Sequence, residues 1–170
     1  MSAALGELLR IGALAVTVGM SVLTDIACGK IYNKVVLTAV PVGILIWGAA
    51  EGWPGVLKSL SGIAVGSIAL LFAGGLKWIA PGDAKLIVAI GALMGAAYVG
   101  WAMLFGAVAG GVLALMILAK RRLLKTWLWN TAAAWTARLP LSTFWAERSG
   151  YLPYSVPIAV GCAAAALYLY

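Results

Sequence analysis

The sequence predicts an all-α fold: a polytopic membrane protein that forms a bundle of six transmembrane helices with an interfacial amphipathic segment. Three observations predict it. Of the 170 residues, 64% are hydrophobic and only 10% are charged, whereas a soluble domain carries about 25% charged residues. The mean hydropathy is +1.05. Six apolar segments of roughly membrane-spanning length follow one another, and none of them alternates as a β-strand would.

The predicted spans are Leu8–Ala27, Val35–Ala50, Val56–Leu76, Ala84–Gly100, Trp101–Ala119 and Pro153–Tyr170. The first is interpreted as a retained helix, because it lacks a basic n-region and does not end in a small-x-small cleavage site. The fourth and fifth share an uncharged run that is too long for one helix, so a tight turn is expected near Tyr98, Gly100 and Trp101. Little chain remains, which predicts a single domain over residues 1–170.

Small residues recur at helical spacing within three of these spans. Such pairs allow the backbones of neighbouring helices to approach closely, so they are expected to form packing faces. The pairs are Gly62 with Gly66, Gly91 with Gly95, and Gly106 with Gly110.

The basic residues predict how the chain is oriented, since cytoplasmic loops carry an excess of Lys and Arg. With six crossings and an external N-terminus, only Arg10 and Lys58 lie outside. Ten basic residues then face the cytoplasm: Lys30, Lys34, Lys77, Lys85, Lys120, Arg121, Arg122, Lys125, Arg138 and Arg148. Both termini are therefore expected to be extracytoplasmic. The net charge of +7 is explained by this asymmetry, and no nucleic-acid partner is expected.

The segment of about residues 120–150 is basic and rich in tryptophan. This composition is typical of a helix that lies in the membrane interface against anionic lipid, so membrane lipids are expected partners. A substrate-docking role for the segment is an open alternative.

Only two aspartates occur in the chain, Asp25 and Asp83, and each lies where an uncharged stretch meets a short basic loop. An ionised carboxylate beside the apolar zone is unfavourable, so such residues indicate a functional site. The chain has no histidine, and the predicted topology keeps Cys28, at the cytoplasmic face, apart from Cys162, well inside the last helix. We therefore expect no metal site, no other cofactor and no disulfide.

The segments around the two aspartates carry a family resemblance. Residues 25–33 read DIACGKIYN, residues 80–86 read APGDAKL, and residues 152–159 read LPYSVPIA. They resemble the type IV prepilin peptidases, membrane aspartic proteases in which an aspartate is followed by Ile-Pro-Asn and a second motif is Gly-x-Gly-Asp-x-Lys. The size of the chain is similar to that of the short peptidases of the Tad/Flp pilus branch. Tyr32 replaces the usual proline and Ala80 the first glycine.

The resemblance implies an aspartic endopeptidase of the bacterial inner membrane that removes the leader peptide of type IV prepilin-like, Flp-type precursors at the cytoplasmic face. Asp25 and Asp83 would be catalytic. Larger relatives carry paired CxxC motifs and also methylate the new N-terminus, whereas this chain has two isolated cysteines, so no N-methyltransferase activity is expected. Nothing in the sequence indicates the oligomeric state.

Paired carboxylates in a low-dielectric site share a proton, so that one acts as acid and the other as base. Helix dipoles favour Asp25, near the end of its helix, as the protonated partner and Asp83, at a helix start, as the anion. Gly82, Lys85, Lys30 and Asn33 are the candidates for substrate binding or positioning. For the lysines, ordinary cytoplasmic charges are an equal alternative, and Asn33 is more typical of a backbone cap.

Three alternatives remain open. Asp25 and Asp83 could be helix-end residues that pair with Lys30 and Lys85. The chain could be a small proton- or cation-coupled transporter with carboxylate ion sites. It could also be a non-catalytic subunit of pilus assembly.

Overall fold

A computed structural model describes residues 3–76, 81–120, 122, 129 and 154–170. All regular structure in this part of the chain is helical, which confirms the all-α prediction there. The helices are α1 (Ala3–Cys28), α2 (Asn33–Glu51), α3 (Trp53–Leu76), α4 (Pro81–Met94), α5 (Ala96–Lys120) and α6 (Ser155–Leu169). The interfacial segment predicted over 120–150 lies outside the described residues, apart from Lys120, Arg122 and Trp129.

The lengths of the helices differ more than the six predicted spans do. Among the described residues, α1, α2 and α5 are long and apolar enough to cross a membrane, whereas α6 is a shorter apolar helix. Helix α4 has 14 residues, about 21 Å at the usual rise, which is shorter than the hydrocarbon thickness of about 30 Å. The apolar helices support a membrane protein, and six complete crossings stay a prediction.

Glycines at positive φ end three of the helices. Gly29 follows α1 with φ 63°, Gly52 follows α2 with φ 66°, and Gly95 separates α4 from α5 with φ 86°. In each case the glycine N–H donates to the carbonyl four residues earlier. The left-handed conformation is accessible to glycine without the steric penalty that a Cβ brings, so these positions close the helices sharply.

The turn predicted near Tyr98, Gly100 and Trp101 is wrong, because the chain turns at Gly95 instead. Tyr98 lies inside α5, where its hydroxyl donates to the carbonyl of Cys162 at 2.7 Å. The whole run is uncharged and contains several glycines, so its composition could not identify the one that adopts positive φ. Because Tyr98 makes this hydrogen bond to α6, it belongs to α5, which begins directly after Gly95.

Helix α4 is the centre of the bundle. It packs mainly against α3 and α2 and also contacts α1 and α5, while α6 packs mainly on α5. From Asp83 to Met94 the side chains of α4 are buried except for Lys85 and Val88. A helix surrounded on several sides needs apolar residues on all its faces, which explains why its sequence shows no polar stripe.

Close helix contacts use the glycines that the sequence singled out. A Cβ on Gly62 of α3 would overlap the backbone carbonyl of Gly91 in α4, and one on Gly66 would meet the Ile87 carbonyl. A Cβ on Gly106 of α5 would lie 3.3 Å from the carbonyl oxygen of Pro157 in α6. The expected packing faces are therefore confirmed at these positions, whereas Gly95 forms the turn.

The bundle has two chemically different ends. We call the "aspartate end" the one that holds Asp25, Asp83 and Ser155, and the "tryptophan end" the one built on Trp47. At the tryptophan end the Trp47 indole N–H donates to the Leu93 carbonyl at 3.0 Å, and the Arg10 guanidinium lies 3.6 Å from the ring centroid. Helix α1 thus runs from the tryptophan end to the aspartate end, and α4 runs the opposite way.

Candidate active site

Asp25 occupies the last turn of α1 and is 4% exposed. The turn is closed by Gly29, whose N–H donates to the Asp25 carbonyl at 2.8 Å. The backbone that carries the carboxylate is therefore fixed by a glycine cap immediately after it. The side chain is held inside the bundle and not in the exposed loop that follows.

Asp83 lies in the first turn of α4 and is 5% exposed. Proline suits the start of a helix because its missing N–H needs no partner there, and Pro81 opens α4 in this way. The carboxylates of Asp83 and Asp25 are close enough for their charges to interact. The structure thus brings together two aspartates that lie 58 positions apart in the sequence.

Ser155, the first residue of α6, contacts Asp25 directly. Its hydroxyl donates to Oδ2 of Asp25 at 2.5 Å, and its backbone N–H donates to the same oxygen at 3.3 Å. Ser155 is fully buried. Both donors of α6 thus meet the same carboxylate oxygen, which joins the start of α6 to this end of the bundle.

The assignment of the shared proton to Asp25, made from helix dipoles, stays a prediction. The dipole of α1 alone disfavours an anion at its C-terminal end, but the start of α6 lies against the same carboxylate and acts in the opposite direction. A sequence argument that considers each aspartate only in its own helix could not include a helix that begins 130 residues later.

Lys85 and Asn33 form a second contact at the aspartate end. The Lys85 ammonium donates to the Asn33 side-chain oxygen at 3.2 Å, and both side chains are exposed. The expectation that Asn33 caps local backbone is wrong: Asn33 is the first residue of α2, Tyr32 occupies the cap position, and Tyr32 makes no side-chain cap hydrogen bond. Lys85 thus links the starts of α4 and α2.

Lys30 and Gly82, the two other predicted site residues, are close in sequence to the aspartates but, among the described residues, make no hydrogen bond like that of Lys85 with Asn33. Lys30 is exposed in the loop between α1 and α2. Gly82 is half-buried, and a Cβ on it would lie 3.4 Å from Cβ of Ile31, so the glycine packs against that loop. Ala80 lies outside the described residues, while Tyr32 is 52% exposed.

Among the described residues, neither aspartate forms a salt bridge with Lys30 or Lys85. The one salt bridge in the described part of the chain joins Lys58 to Glu51 at 2.6 Å, at the tryptophan end. Asp25 is bonded by Ser155 instead, and Lys85 is bonded to Asn33. Within the same residues, no group of three His, Cys, Asp or Glu side chains is placed to hold a metal ion.

Sequence reasoning missed Ser155 as a functional residue. The signal available was a serine at the start of a helix, a position where serine usually caps its own backbone. Here the residue before it, Tyr154, is the cap and makes no side-chain cap hydrogen bond. The Ser155 hydroxyl is used between helices, a role that no local pattern indicates.

Comparison with known proteins identifies one family. The model of the type IV leader peptidase family matches residues 12–115, which run from within α1 to within α5 and include both aspartates. Ser155 lies beyond the matched residues. No significant similarity to a curated protein or to a solved structure is found.

Proposed function

The chain belongs to the type IV leader peptidase family, and we propose that it is an aspartic endopeptidase that removes the leader peptide of type IV prepilin-like, Flp-type precursors. Membership of this family implies a membrane protease. The observation that carries the aspartic mechanism is the burial of both Asp25 and Asp83 at one end of the bundle, close enough for their charges to interact. Two carboxylates so placed cannot both ionise readily.

The contacts of the pair support a division of roles. Two donors from Ser155 stabilise a charged Asp25, so we assign Asp25 as the base that removes a proton from water. Asp83 is the partner that holds the shared proton, because its burial and, to a lesser degree, the charge of Asp25 disfavour its ionised form. The two carboxyl groups share one proton, so this assignment describes only its resting position.

The cleavage then needs only water and the two aspartates. Asp25 takes a proton from the water as its oxygen attacks the scissile carbonyl carbon, while Asp83 gives its proton to the carbonyl oxygen. As the tetrahedral intermediate collapses and the C–N bond breaks, the proton held by Asp25 passes to the leaving amine, and a hydroxyl of the intermediate returns its proton to Asp83 as the C=O bond re-forms. The products are a leader with a new carboxylate and a mature protein with a new amino terminus.

The position of the pair fits a substrate that is itself a membrane helix with a polar leader. The aspartates lie at one end of the bundle, near exposed Lys30 and Lys85. The excess of basic residues on the loops at that end supports a cytoplasmic site with both termini outside, in a bacterial inner membrane. A precursor helix beside the bundle would then present its leader at the level of the pair, and the lysines would bind lipid phosphates or position the substrate.

Co-expression with a candidate Flp-type precursor tests the proposal. We expect the precursor to be shortened at its N-terminus in membranes that contain the chain, with the new terminus identified by mass spectrometry. Asp83→Asn should leave the precursor intact, whereas Glu51→Gln, a carboxyl-to-amide change at the tryptophan end, should not. A precursor that is bound but never shortened would favour an assembly subunit. A precursor that is neither bound nor shortened, together with ion uptake that depends on Asp83, would favour a transporter.

A further inference from the structure

We propose that Ser155 is a positioning residue of this active site, which holds the carboxylate of Asp25 in one orientation. The inference rests on the proposed function and adds α6 to a site that the two aspartates assign only to α1 and α4. Its basis is the pair of hydrogen bonds from the Ser155 hydroxyl and N–H to one carboxylate oxygen.

Both donors bind Oδ2 of Asp25, at 2.5 Å and 3.3 Å. Two donors on one oxygen restrict rotation of the carboxylate about its last torsion, which is otherwise broad. The restricted group keeps its second oxygen in a fixed direction. A general base must lie within hydrogen-bond reach of the proton that it removes, so a fixed direction raises the fraction of molecules ready to react.

The position of Ser155 is set by close packing between α5 and α6. Gly161 of α6 lies so close to α5 that a Cβ would overlap the Ala102 carbonyl and the Gly106 backbone, and Pro157 packs against Gly106 and Gly110. These contacts fix α6 along α5 just after Ser155. The start of α6 is thereby brought to Asp25, whose own helix has fewer contacts with α6 than α5 has.

A capping role is the main structural explanation for a serine at this place, and the contacts oppose it. A capping serine accepts a hydrogen bond from the backbone two or three residues later, whereas this hydroxyl donates to another helix. Ser59 provides a matched comparison: it is also fully buried, and its hydroxyl donates to the Ala92 carbonyl at 2.7 Å. That bond lies at the tryptophan end and involves no charged group.

Cleavage kinetics of the purified chain separate positioning from structure. We expect Ser155→Ala to lower kcat about tenfold to a hundredfold, the range for a hydrogen bond to a charged group, with KM changed less than about twofold. Ser155→Cys, which refills the space with a weak donor, should also lower kcat, and Ser155→Thr should restore part of it. Ser59→Ala should lower the unfolding temperature and leave kcat unchanged. A wild-type kcat in folded Ser155→Ala would overturn the inference.

A spectroscopic measurement decides the contact without any cleavage. The chain has only two aspartates. When ¹³C-labelled aspartate is incorporated into the Asp83→Asn variant, the labelled carboxylate band of the infrared spectrum therefore comes from Asp25 alone. The carboxylate band should shift when Ser155→Ala or Ser155→Cys is added, and should not shift when Ser59→Ala is added. An unchanged band in both Ser155 variants would overturn the inference. A shifted band, together with a wild-type chain that cuts no precursor, would refute the proposed protease and with it the positioning role, while leaving the contact established.

Discussion

The two ends of the bundle differ in which charged groups they bring together. At the tryptophan end, unlike groups are matched: Lys58 pairs with Glu51, and the Arg10 cation lies over the Trp47 ring. At the aspartate end, two carboxyl groups are buried close enough for their charges to interact. The first arrangement stabilises the fold, whereas the second opposes it unless a proton is shared. A protein that keeps an unfavourable pair in its interior is expected to use it, which is how the difference indicates the active site.

The largest expected effect breaks the pair at the aspartate end. Asp25→Asn and Asp83→Asn should each lower the rate of precursor cleavage by at least about a thousandfold, because either change removes one half of the acid–base unit. The double variant should be no slower than either single variant. The measurement is precursor shortening in membranes with matched protein levels.

The same cycle at the tryptophan end is the control. Glu51→Gln, Lys58→Met and their combination should leave cleavage unchanged, because that ion pair is exposed and lies away from the reaction. Additive losses at Asp25 and Asp83 would contradict a single catalytic unit. Equal losses at both ends would contradict the distinction between them.

The second-largest expected effect is a loss of folding stability when the tryptophan end is changed. Trp47→Ala removes a buried ring, its contact with Arg10 and its hydrogen bond to the Leu93 carbonyl, so unfolding should become easier by about 3–5 kcal/mol. Trp53→Ala, at a residue that is 71% exposed, is the matched control and should change stability little. Thermal unfolding in detergent measures both. A large loss of cleavage per folded Trp47→Ala molecule would argue that the two ends are coupled.

A smaller loss of stability is expected when the close contact between α3 and α4 is disturbed. Gly62→Ala introduces a Cβ that overlaps the Gly91 backbone, so stability should fall by about 1–3 kcal/mol. A Cβ on Gly12 would meet no atom outside its own helical turns within 4 Å, so Gly12→Ala should be neutral or slightly stabilising. Unfolding temperatures of the two variants give the comparison. Equal temperatures would refute the close approach of α3 and α4.

The smallest expected effect lies at the edge of the aspartate end. Lys85→Ala removes an exposed hydrogen bond to Asn33, so cleavage should fall only about two- to fivefold. Asn33→Ala should have a similar effect, and the double variant should be no worse than either, since both remove the same contact. A loss as large as that of Asp83→Asn would place Lys85 in the reaction itself.

Much of this arrangement could be predicted from the sequence, because hydropathy and glycine spacing are local signals. These signals predict the all-α class, the approximate helices and the packing glycines. The two aspartates are recognised because they are rare charges beside apolar stretches. The turn at Gly95 could not, since the uncharged run around it gives no break in hydropathy. Ser155 could not either, because its contact with Asp25 depends on how α6 packs along α5, which periodicity does not determine.

Cleavage by the purified chain is the most direct test of the proposal that Asp25 and Asp83 form one proteolytic unit. The chain and a purified Flp-type precursor are reconstituted together in liposomes, and the mass and new N-terminus of the product are recorded over time. We expect wild type to release the leader, with no loss of rate when a chelator is added, and Asp25→Asn to release none although it is folded and inserted. Release of the leader at a comparable rate by folded Asp25→Asn would contradict the account.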